Sequence, residues 1–493
     1  MRDSTEVSGF ARQLDDWGRD APVRYHALAG AIERLIREGE LAPHARLPAE
    51  RRLAGELVLS RGTVTAAFEL LRQRGLIETR RGSGSFVLRA GSPVSGPREA
   101  HLTSGLPRES LLWPRQEKHP EMIDLRAAHW VGAPEVEGVL DNAMRQLRRV
   151  LQGGGYDVLG ERRLREAVAA RFDDLGVPTS PDEILITSGA QQAISLIVQL
   201  LVGAGDTVVV EDPTFPGAVE AVVAQQANPL PVPTGEVGIE LPRLSAAVAQ
   251  ARPRLMYLMS SVHNPTGVVM PPGARQRLAE LLTGWDLTVL DDTALLETQR
   301  RGRIVAPLVG HVDPPATDRV LTVGSLSKSI WGGLRIGWIR ASRPMVGRLA
   351  RLKGVADLGT SPIPQLVAAE LLAGDTRLID RRRQDQAARQ DALETELARQ
   401  LPGWAFTPPA GGLCLWVDLG IEDAAAFLPF ASEAGVALAP SRAFSWTGRH
   451  PGHVRLPFSE HPEVLAQAVT RLHRAWDAFC GANISADGAC AGG

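Results

Sequence analysis

One lysine of this chain stands among residues that could hold a phosphorylated aldehyde. The segment GSLSKSIWGGLRIG (324–337) places Lys328 just past an apolar strand, after Ser325 and Ser327, with Arg335 further on. An isolated lysine is most often a solvated surface charge, so the interpretation depends on these neighbours. A lysine in a partly desolvated pocket can lose its proton and form a Schiff base, and hydroxyls with a guanidinium suit a phosphate. The segment therefore predicts a site for pyridoxal 5′-phosphate, PLP.

Four further motifs supply groups that such a cofactor needs. ITSGAQQA (186–193) runs from a strand through a small turn into a helix start, where free backbone N–H groups bind phosphate. HNPTG (263–267) offers an amide for the ring's phenolic oxygen, and EDPTF (211–215) offers an aromatic face. VLDD (289–292) ends a strand with a carboxylate that can keep the pyridine nitrogen protonated. Each motif alone could be an ordinary turn or helix cap. Such local roles do not explain why all of the motifs occur together in this order.

The motifs follow apolar segments that alternate with helical stretches such as 190–202 and 271–283. The strand candidates are Ile184–Thr187, Thr207–Val210, Leu255–Met259, Leu287–Leu290, Val320–Val323 and Ile336–Ile339. This alternation predicts an α/β body with a mostly parallel sheet and helices on both faces. Because ligands of such sheets bind beyond the carboxyl ends of the strands, we expect the motif residues to converge there.

The charge of the chain is concentrated in a small N-terminal part. The net charge of the whole chain is −2, but residues 21–90 hold 12 Arg and 7 Glu without Lys or Asp, a net of +5. The remainder therefore carries −7. A basic module on an acidic body is typical of a DNA-binding head on a regulated domain, although charge alone could equally be a surface fluctuation.

Three amphipathic segments and a hairpin follow in this basic part. The spacing of apolar residues predicts helices over 25–38, 49–57 and 61–74, the last of which is capped by Ser60. Residues 76–88 then predict a β-hairpin with a basic tip, so the pattern is that of a winged helix-turn-helix. The alternative is that this winged helix binds another protein and not DNA. If it binds DNA, the third helix enters the major groove, and its first residues and the tip meet bases or phosphates.

The stretch LPAERRLAGELVLSRGTVTAAFELLRQRGLIETRRGSGSFV (47–87) resembles the GntR-type bacterial repressor head over its whole length. The resemblance implies a double-stranded DNA operator as partner. Together with the predicted helix start and hairpin tip, it gives the candidate DNA-binding residues Arg51, Ser60, Arg61, Thr63, Thr65, Arg81 and Gly82. Position 65 is often basic in that family, so the base preference there stays open.

The larger part of the chain resembles the fold-type I aminotransferases over roughly 120–475. By this resemblance Lys328 is the Schiff-base lysine, Asp291 pairs with the ring nitrogen, Asn264 contacts the ring oxygen and Phe215 stacks on the ring. The resemblance implies that Ser325, Arg335 and the backbone of Gly189-Ala190 hold the phosphate, and Ser188 and Ser327 are further candidate cofactor-binding residues.

Two more residues follow from the same resemblance. Tyr156, in GGGYDVLG, matches a tyrosine that reaches the phosphate of the partner subunit, which implies a homodimer. Arg455, in HVRLPFSEH, matches the arginine that takes the substrate's carboxylate. A small amino compound, or PLP itself, is then the expected effector.

A GntR-type head joined to such a body resembles the MocR/GabR-type regulators. The expected organisation is a winged helix-turn-helix at 21–90, a linker at 91–118, an aminotransferase-like domain at 119–480 and a disordered tail at 481–493. Within the body we expect a large domain over about 150–365 and a small C-terminal α+β domain from about 366, completed by the N-terminal segment.

One departure separates this chain from the enzymes that it resembles. Relatives have a tyrosine two or three residues after the aspartate, whereas this chain reads Asp291-Asp292-Thr293-Ala294. We expect Thr293 to stand where the phenol is missing, which favours a PLP-dependent transcriptional regulator with at most residual turnover. The alternative is an active aminotransferase with an autoregulatory head; a DNA-binding protein that has lost PLP is disfavoured, because Lys328 and its partners are present.

Composition excludes several other classes. Charged residues make up 22% of the chain and hydrophobic residues 44%, close to ordinary globular usage, which excludes a disordered or fibrous protein. No run approaches the ~18 apolar residues of a membrane span, and the first residues lack a signal-peptide pattern, so we expect a cytoplasmic protein. Three scattered cysteines predict neither disulfides nor a metal site.

Overall fold

The chain divides into a head within Met1–Leu106 and a body within Pro107–Gly493. The computed structural model describes residues 10, 14, 24–37, 41, 45–57, 59–73, 76–80, 84–87, 121–300, 304–374 and 377–483. The predicted linker 91–118 lies outside these ranges, and so do Arg81 and Gly82 at the predicted hairpin tip. Of the predicted tail 481–493, the first residues continue the last helix and the rest lies outside the described ranges.

The described residues of the head form the three helices and the antiparallel hairpin that the apolar spacing predicts. The elements are α1 (Arg24–Arg37), α2 (Glu50–Glu56), α3 (Arg61–Gln73), β1 (Ile77–Arg80) and β2 (Gly84–Val87). Apolar side chains spaced for one helix face form its core, and they include Leu28, Ile32, Val64, Phe68 and Leu71. Backbone hydrogen bonds from Leu47 to Ser85 and from Val87 to Ala45 tie the segment before α2 to the hairpin. The predicted winged-helix fold is confirmed.

The body is built on a sheet of eight strands in the order β4-β11-β10-β9-β8-β5-β6-β7. The strands are β4 (Ile184–Thr187), β5 (Thr207–Asp212), β6 (Asn228–Gly235), β7 (Gly238–Ile239), β8 (Leu255–Leu258), β9 (Thr288–Asp292), β10 (Val320–Ser325) and β11 (Gly337–Arg340); β3 (Ile123–Asp124) precedes them outside this sheet. Strands β10, β9, β8, β5 and β6 run parallel, while β11 is antiparallel to both neighbours. The predicted α/β body with a mostly parallel sheet is confirmed.

Helices cover both faces of this sheet and bury a separate apolar cluster on each face. The helices before β12 are α4 (Pro134–Gly138), α5 (Leu140–Val150), α6 (Arg162–Asp174), α7 (Ala190–Leu201), α8 (Pro216–Ala224), α9 (Leu241–Ala251), α10 (Pro272–Gly284), α11 (Arg343–Asp357), α12 (Pro362–Ala373) and α13 (Arg377–Gln400). Because both faces are buried, the central strands are continuous apolar runs rather than alternating ones, as in Val208-Val209-Val210.

A smaller C-terminal layer packs its own core around an antiparallel sheet of order β12-β13-β16-β15. Its elements are β12 (Ala405–Phe406), β13 (Cys414–Asp418), α14 (Leu428–Glu433), β14 (Val436–Ala437), β15 (Ala439–Pro440), β16 (His453–Pro457) and α15 (Pro462–Asn483). Strand β3 pairs with β14, so the segment that begins the body joins this layer. Among the described residues, none of the helices is long and apolar enough to cross a membrane.

Candidate cofactor pocket and DNA-binding head

A cavity of about 310 Å³ lies in the body, beyond the carboxyl ends of the parallel strands. Its wall combines segments from distant parts of the chain: Arg126, Ala127, Ala128, Ala190, Gln191, Phe215, Met259, Asn264, Asp292, Ala294, Leu295, Ser325, Ser327, Lys328, Arg335, Leu413, Cys414 and Arg455. Most of the side chains that the sequence marks for PLP therefore converge in one place.

Lys328 lies on a short helical turn directly after β10 and projects into this cavity. Its Nζ donates a hydrogen bond to the carbonyl oxygen of Ala128 at 2.6 Å. Burial lowers the pKa of Lys328 to about 8, and the charges of Arg455 and Arg335 contribute to this lowering. A substantial fraction of the amine is thus neutral near pH 7.5, which is the form that attacks an aldehyde.

The other end of the cavity is shaped for an anion. Ser325 and Ser327 line it with their hydroxyl oxygens 3.0 Å apart, and Arg335 lines it while donating to the Ser188 carbonyl at 2.6 Å. Gly189 has φ +88°, and a Cβ there would come within 2.9 Å of Arg335 Nη2. Any other residue at this glycine would displace the guanidinium, so the turn before α7 needs glycine for a steric reason.

The two consecutive aspartates at the end of β9 face opposite sides of the sheet. Asp292 lines the cavity, where it accepts hydrogen bonds from Tyr257 Oη at 2.8 Å and from the Ala294 N–H at 2.9 Å. Asp291 is fully buried elsewhere, and it accepts from Ser260 Oγ at 2.8 Å and from the Leu308 N–H at 2.9 Å. The sequence expectation named Asp291, whereas the geometry offers Asp292 to a ligand.

Burial raises the pKa of Asp292 to about 6. Burial raises the pKa of Asp291 as well, although the nearby Arg275 guanidinium opposes the rise. Arg275 is itself fully buried and donates to the carbonyl oxygens of Met270 and Ser260. Asp291 therefore belongs to a buried polar cluster that supports the strand end, while Asp292 presents its carboxylate to the cavity.

The position expected for a missing phenol also differs from the sequence interpretation. Thr293 turns away from the cavity, since its Oγ1 donates to the Val323 carbonyl at 2.7 Å. Ala294 and Leu295 line the cavity next to Asp292 instead. The wall at this point is consequently apolar and supplies no hydroxyl to a ring oxygen.

Arg455 is almost fully buried, on β16, at the side of the cavity that the C-terminal layer forms. Its Nη1 donates to Asn264 Oδ1 at 3.3 Å and its Nη2 to the carbonyl oxygen of Arg126 at 2.5 Å. The guanidinium also lies 4.5 Å from the centre of the Phe444 ring. These contacts fix a cation beside Asn264, while Phe215 offers an aromatic face at another part of the wall.

The cavity contains a further arginine, Arg126, which the sequence does not predict because it belongs to no motif. Its Nε and Nη2 donate to the two carboxylate oxygens of Asp124 at 2.9 and 3.1 Å. Nearby in the chain, the Trp130 ring lies 4.8 Å from the guanidinium of Arg382 and 4.8 Å from that of Arg389. These contacts hold the segment that carries Arg126 and the acceptor of Lys328.

Tyr156 lies outside the cavity. Its side chain is 79% exposed and borders a separate surface pocket together with Gly153–Gly155 and Arg149. Other large apolar side chains of the body are exposed as well: Val131, Leu140, Met144, Leu151, Trp331, Val355, Leu358 and Ile363. An exposed apolar surface is typical of a protein-binding site only where its residues form one contiguous patch, so the dimer that Tyr156 implies stays a prediction.

In the head, three of the predicted DNA contacts, Ser60, Thr63 and Thr65, hydrogen-bond within the protein. Ser60 caps α3, with its Oγ accepting from the Thr63 N–H at 3.1 Å and lying 2.8 Å from Thr63 Oγ1. Thr65 Oγ1 donates to Glu50 Oε2 at 2.7 Å, so this side chain connects α3 to α2. Arg51 and Arg61 are exposed and keep their guanidinium groups available to a phosphate or a base.

Comparisons with known proteins agree with this division. Residues 131–472 match the family model of class I and II aminotransferases, and residues 24–87 match that of bacterial regulatory proteins of the gntR family. The uncharacterized HTH-type transcriptional regulator YjiR of Escherichia coli is 28% identical over 488 residues, which are 92% of this chain and 100% of that protein. The probable rhizopine catabolism regulatory protein MocR of Rhizobium meliloti is 28% identical over 71% of this chain and 72% of its own.

A solved structure resembles the body. It is the crystal structure of LysN, the α-aminoadipate aminotransferase of Thermus thermophilus, in complex with N-(5′-phosphopyridoxyl)-L-leucine. The TM-score is 0.67 at 29% identity, and the match covers 74% of this chain and 94% of that one.

Proposed function

The chain belongs to the class I and II aminotransferase family and joins that body to a GntR-type head, the arrangement of MocR-type regulators, and we propose that it controls transcription in response to PLP and an amino compound. The observation that carries the proposal is the convergence of Lys328, Asp292, Arg335 and Arg455 on one cavity beyond the strand ends.

The residues of the cavity suit the chemistry of PLP. A phosphate suits the hydroxyls of Ser325 and Ser327 beside Arg335, in a turn where Gly189 leaves room for the guanidinium. Lys328 offers a partly neutral amine for covalent attachment. PLP, when bound, supplies an aldehyde carbon that amines attack and a ring that withdraws electrons.

The remaining residues of the wall position ligands. The carboxylate of Asp292, which accepts a hydrogen bond from the Tyr257 hydroxyl, would pair with the protonated ring nitrogen of PLP. Asn264 and Arg455 are hydrogen-bonded to each other, so the amide that would contact the ring oxygen lies beside the guanidinium that would bind a carboxylate. Phe215 adds a flat apolar face. We infer that an amino acid enters with its carboxylate on Arg455.

In this proposal, ligand binding in the body changes DNA binding by the head. A GntR-type winged helix binds duplex DNA with the start of its third helix in the major groove, where Arg61 is exposed. For a ligand to change DNA affinity, it must bind two arrangements of the protein with different affinities. We propose that the linker 91–118 joins the heads to a dimer of bodies.

An active aminotransferase is the competing function, and one observation supports it. The cavity retains Lys328 with a pKa of about 8, which suits proton transfer near neutral pH. The apolar side chains of Ala294 and Leu295 beside Asp292 weigh against it, because no hydroxyl there controls the ring oxygen. We therefore expect slow turnover or none.

The test uses the purified full-length protein and duplex DNA selected by it from a random-sequence pool. We expect the wild type to gain PLP absorbance and to change its affinity for the selected duplex when PLP and amino acids are added. Lys328→Ala should bind the same duplex without either response. Borohydride reduction should attach PLP to Lys328 and not to Lys353, whose Nζ lies 2.9 Å from Asp357 Oδ1.

Two results would contradict the proposal. One is a wild-type protein that gains no PLP absorbance and no reduced adduct. The other is sustained formation of glutamate from 2-oxoglutarate and an amino acid at about 1–10³ per second, combined with an unchanged DNA affinity. The second result would identify the protein as an aminotransferase.

A further inference from the structure

The cavity contains one more cation than the proposed function uses. Arg126, Lys328, Arg335 and Arg455 line it together with the carboxylate of Asp292. In the proposed function, Lys328 and Arg335 serve the aldehyde and the phosphate, and Arg455 takes the carboxylate of an amino acid. Arg126 has no assignment, although it shares the wall with the other three.

The geometry of Arg126 is that of a prepared binding group. Asp124, whose side chain is 6% exposed, accepts from Nε and from Nη2 and so holds one edge of the guanidinium. Nη1 takes no part in that pair, and the Arg126 side chain keeps 39% of its surface exposed. Asp124 also raises the pKa of Arg126, so the guanidinium stays charged. A fixed guanidinium loses little conformational entropy when it binds a carboxylate.

A hydrogen bond links the two arginine residues Arg126 and Arg455 of the cavity. Arg455 Nη2 donates to the carbonyl oxygen of Arg126, so the residue that would take an α-carboxylate is bonded to the residue that carries the second cation. The small residues Ala127 and Ala128 follow on the same wall and leave the space beside Lys328 open. The side chains of Arg126 and Arg455 thus line the same cavity as Lys328.

We propose that Arg126 binds a second acidic group of the effector, and hence that the effector is an amino acid with an acidic side chain. This inference rests on the proposed function, in which Arg455 takes the first carboxylate. The Nη1 side of Arg126 would donate to the side-chain carboxylate, while Asp124 stays on the opposite edge and keeps the guanidinium in place.

The test is isothermal titration calorimetry on the full-length, PLP-loaded protein with L-glutamate, L-2-aminoadipate and L-glutamine. Glutamine matches glutamate in shape and lacks the side-chain charge. A charge-assisted hydrogen bond that forms only with the acid predicts about ten- to one-hundred-fold tighter binding of glutamate than of glutamine. Absorbance recorded in parallel reports whether PLP remains bound.

Arg126→Gln should lower the affinity for glutamate to that for glutamine and leave the affinity for glutamine nearly unchanged. Asp124→Asn should change the ratio of glutamate to glutamine affinity, because it removes both the contact that positions the guanidinium and an anion that competes for it. The matched control is Arg399→Gln, which removes an arginine that is ion-paired with Glu396 at the end of α13 and lies outside the cavity. This control should keep the wild-type preference.

The outcomes separate a failure of this inference from a failure of the proposed function. Equal affinities for glutamate and glutamine in the PLP-loaded wild type, or an undiminished preference in Arg126→Gln, would overturn the inference and leave PLP binding intact. A wild type that takes up no PLP would overturn the proposed function and this inference with it. If Arg126→Gln fails to fold, the glutamate-to-glutamine ratio in Asp124→Asn decides, since an unchanged ratio there contradicts a role for the held guanidinium.

Discussion

Replacing Asp292 by asparagine should raise the free energy of unfolding of the PLP-free protein. The same change should lower the affinity for PLP. Burial raises the pKa of this carboxyl from 3.8 to about 6. Between these two pH values the folded chain retains a proton that the unfolded chain has released, so the free energy of unfolding falls as pH rises through that window. The free energy of unfolding stays lowered at neutral pH, because the buried carboxylate is charged there.

The structure gives the size of both effects. A pKa rise from 3.8 to about 6 corresponds to about 3 kcal/mol at roughly 1.4 kcal/mol per pKa unit. Asparagine has one acceptor oxygen for the two donors, Tyr257 Oη and the Ala294 N–H, and the lost bond costs about 1 kcal/mol. We expect a net gain of about 1–2 kcal/mol above pH 6 and none near pH 4. Loss of the charged partner of the ring nitrogen should weaken PLP binding by about ten- to one-hundred-fold.

The assay is urea unfolding of the PLP-free wild type and variant from pH 4 to pH 8, with PLP affinity measured by absorbance at pH 7.5. Asp291→Asn is the matched control, because it removes a buried carboxylate that lies outside the cavity. It should leave PLP affinity nearly unchanged. If Asp291→Asn weakened PLP binding and Asp292→Asn did not, the assignment of the two aspartates would be wrong.

Other predictions concern attachment, assembly and DNA. The rate of covalent PLP attachment should rise with pH and level off near pH 8, as the pKa of Lys328 requires; a rate that still rises toward pH 10.5 would indicate a solvated amine. Tyr156→Ala should lose PLP affinity, and mixing it with Lys328→Ala should restore tight binding at some sites if Tyr156 completes the pocket of the other subunit; no recovery after subunit exchange would contradict this. Arg61→Ala should relax base preference at one position at a cost of about 1–3 kcal/mol, whereas equal losses on selected and random duplexes would show a phosphate contact. Glu50→Gln should weaken the α2–α3 connection at Thr65 and lower the thermal midpoint of the head, which calorimetry measures.

The strand end in VLDD shows why the sequence predicts a cavity at this strand end but does not indicate which aspartate lines it. Side chains alternate between the faces of a strand, so a shift by one residue moves the interpretation to the other face. Both faces of β9 are buried, and no apolar-polar alternation indicates which face Asp291 or Asp292 occupies. Pairing with β10 fixes the choice, because Val323 lies opposite Asp292 and precedes Ser325 of the cavity by two residues.

Other differences arise from contacts that are distant in sequence. The pairing of β3 with β14, which lies some three hundred residues later in the chain, brings Arg126 to the cavity. No sequence pattern near Arg126 indicates this position. Strand β6 was missed because NPLPVPTG contains Pro229, Pro231 and Pro233. These prolines lie two residues apart, so their missing N–H groups fall on one side of the strand, which leaves the other side free to pair with β5.

The cavity wall extends from residues 126–128 near the start of the body to Arg455 near its end, so it exists only when nearly the whole body is folded. A ligand that binds there is therefore a ligand of the native state alone, and at a concentration of 100 Kd it adds about 2.7 kcal/mol to the free energy of unfolding. Cellular proteases remove chains from the unfolded population, and a change of this size alters abundance several-fold. If PLP is that ligand, as we propose, its supply would affect how many copies of the protein survive in the cell, independently of how each copy binds DNA.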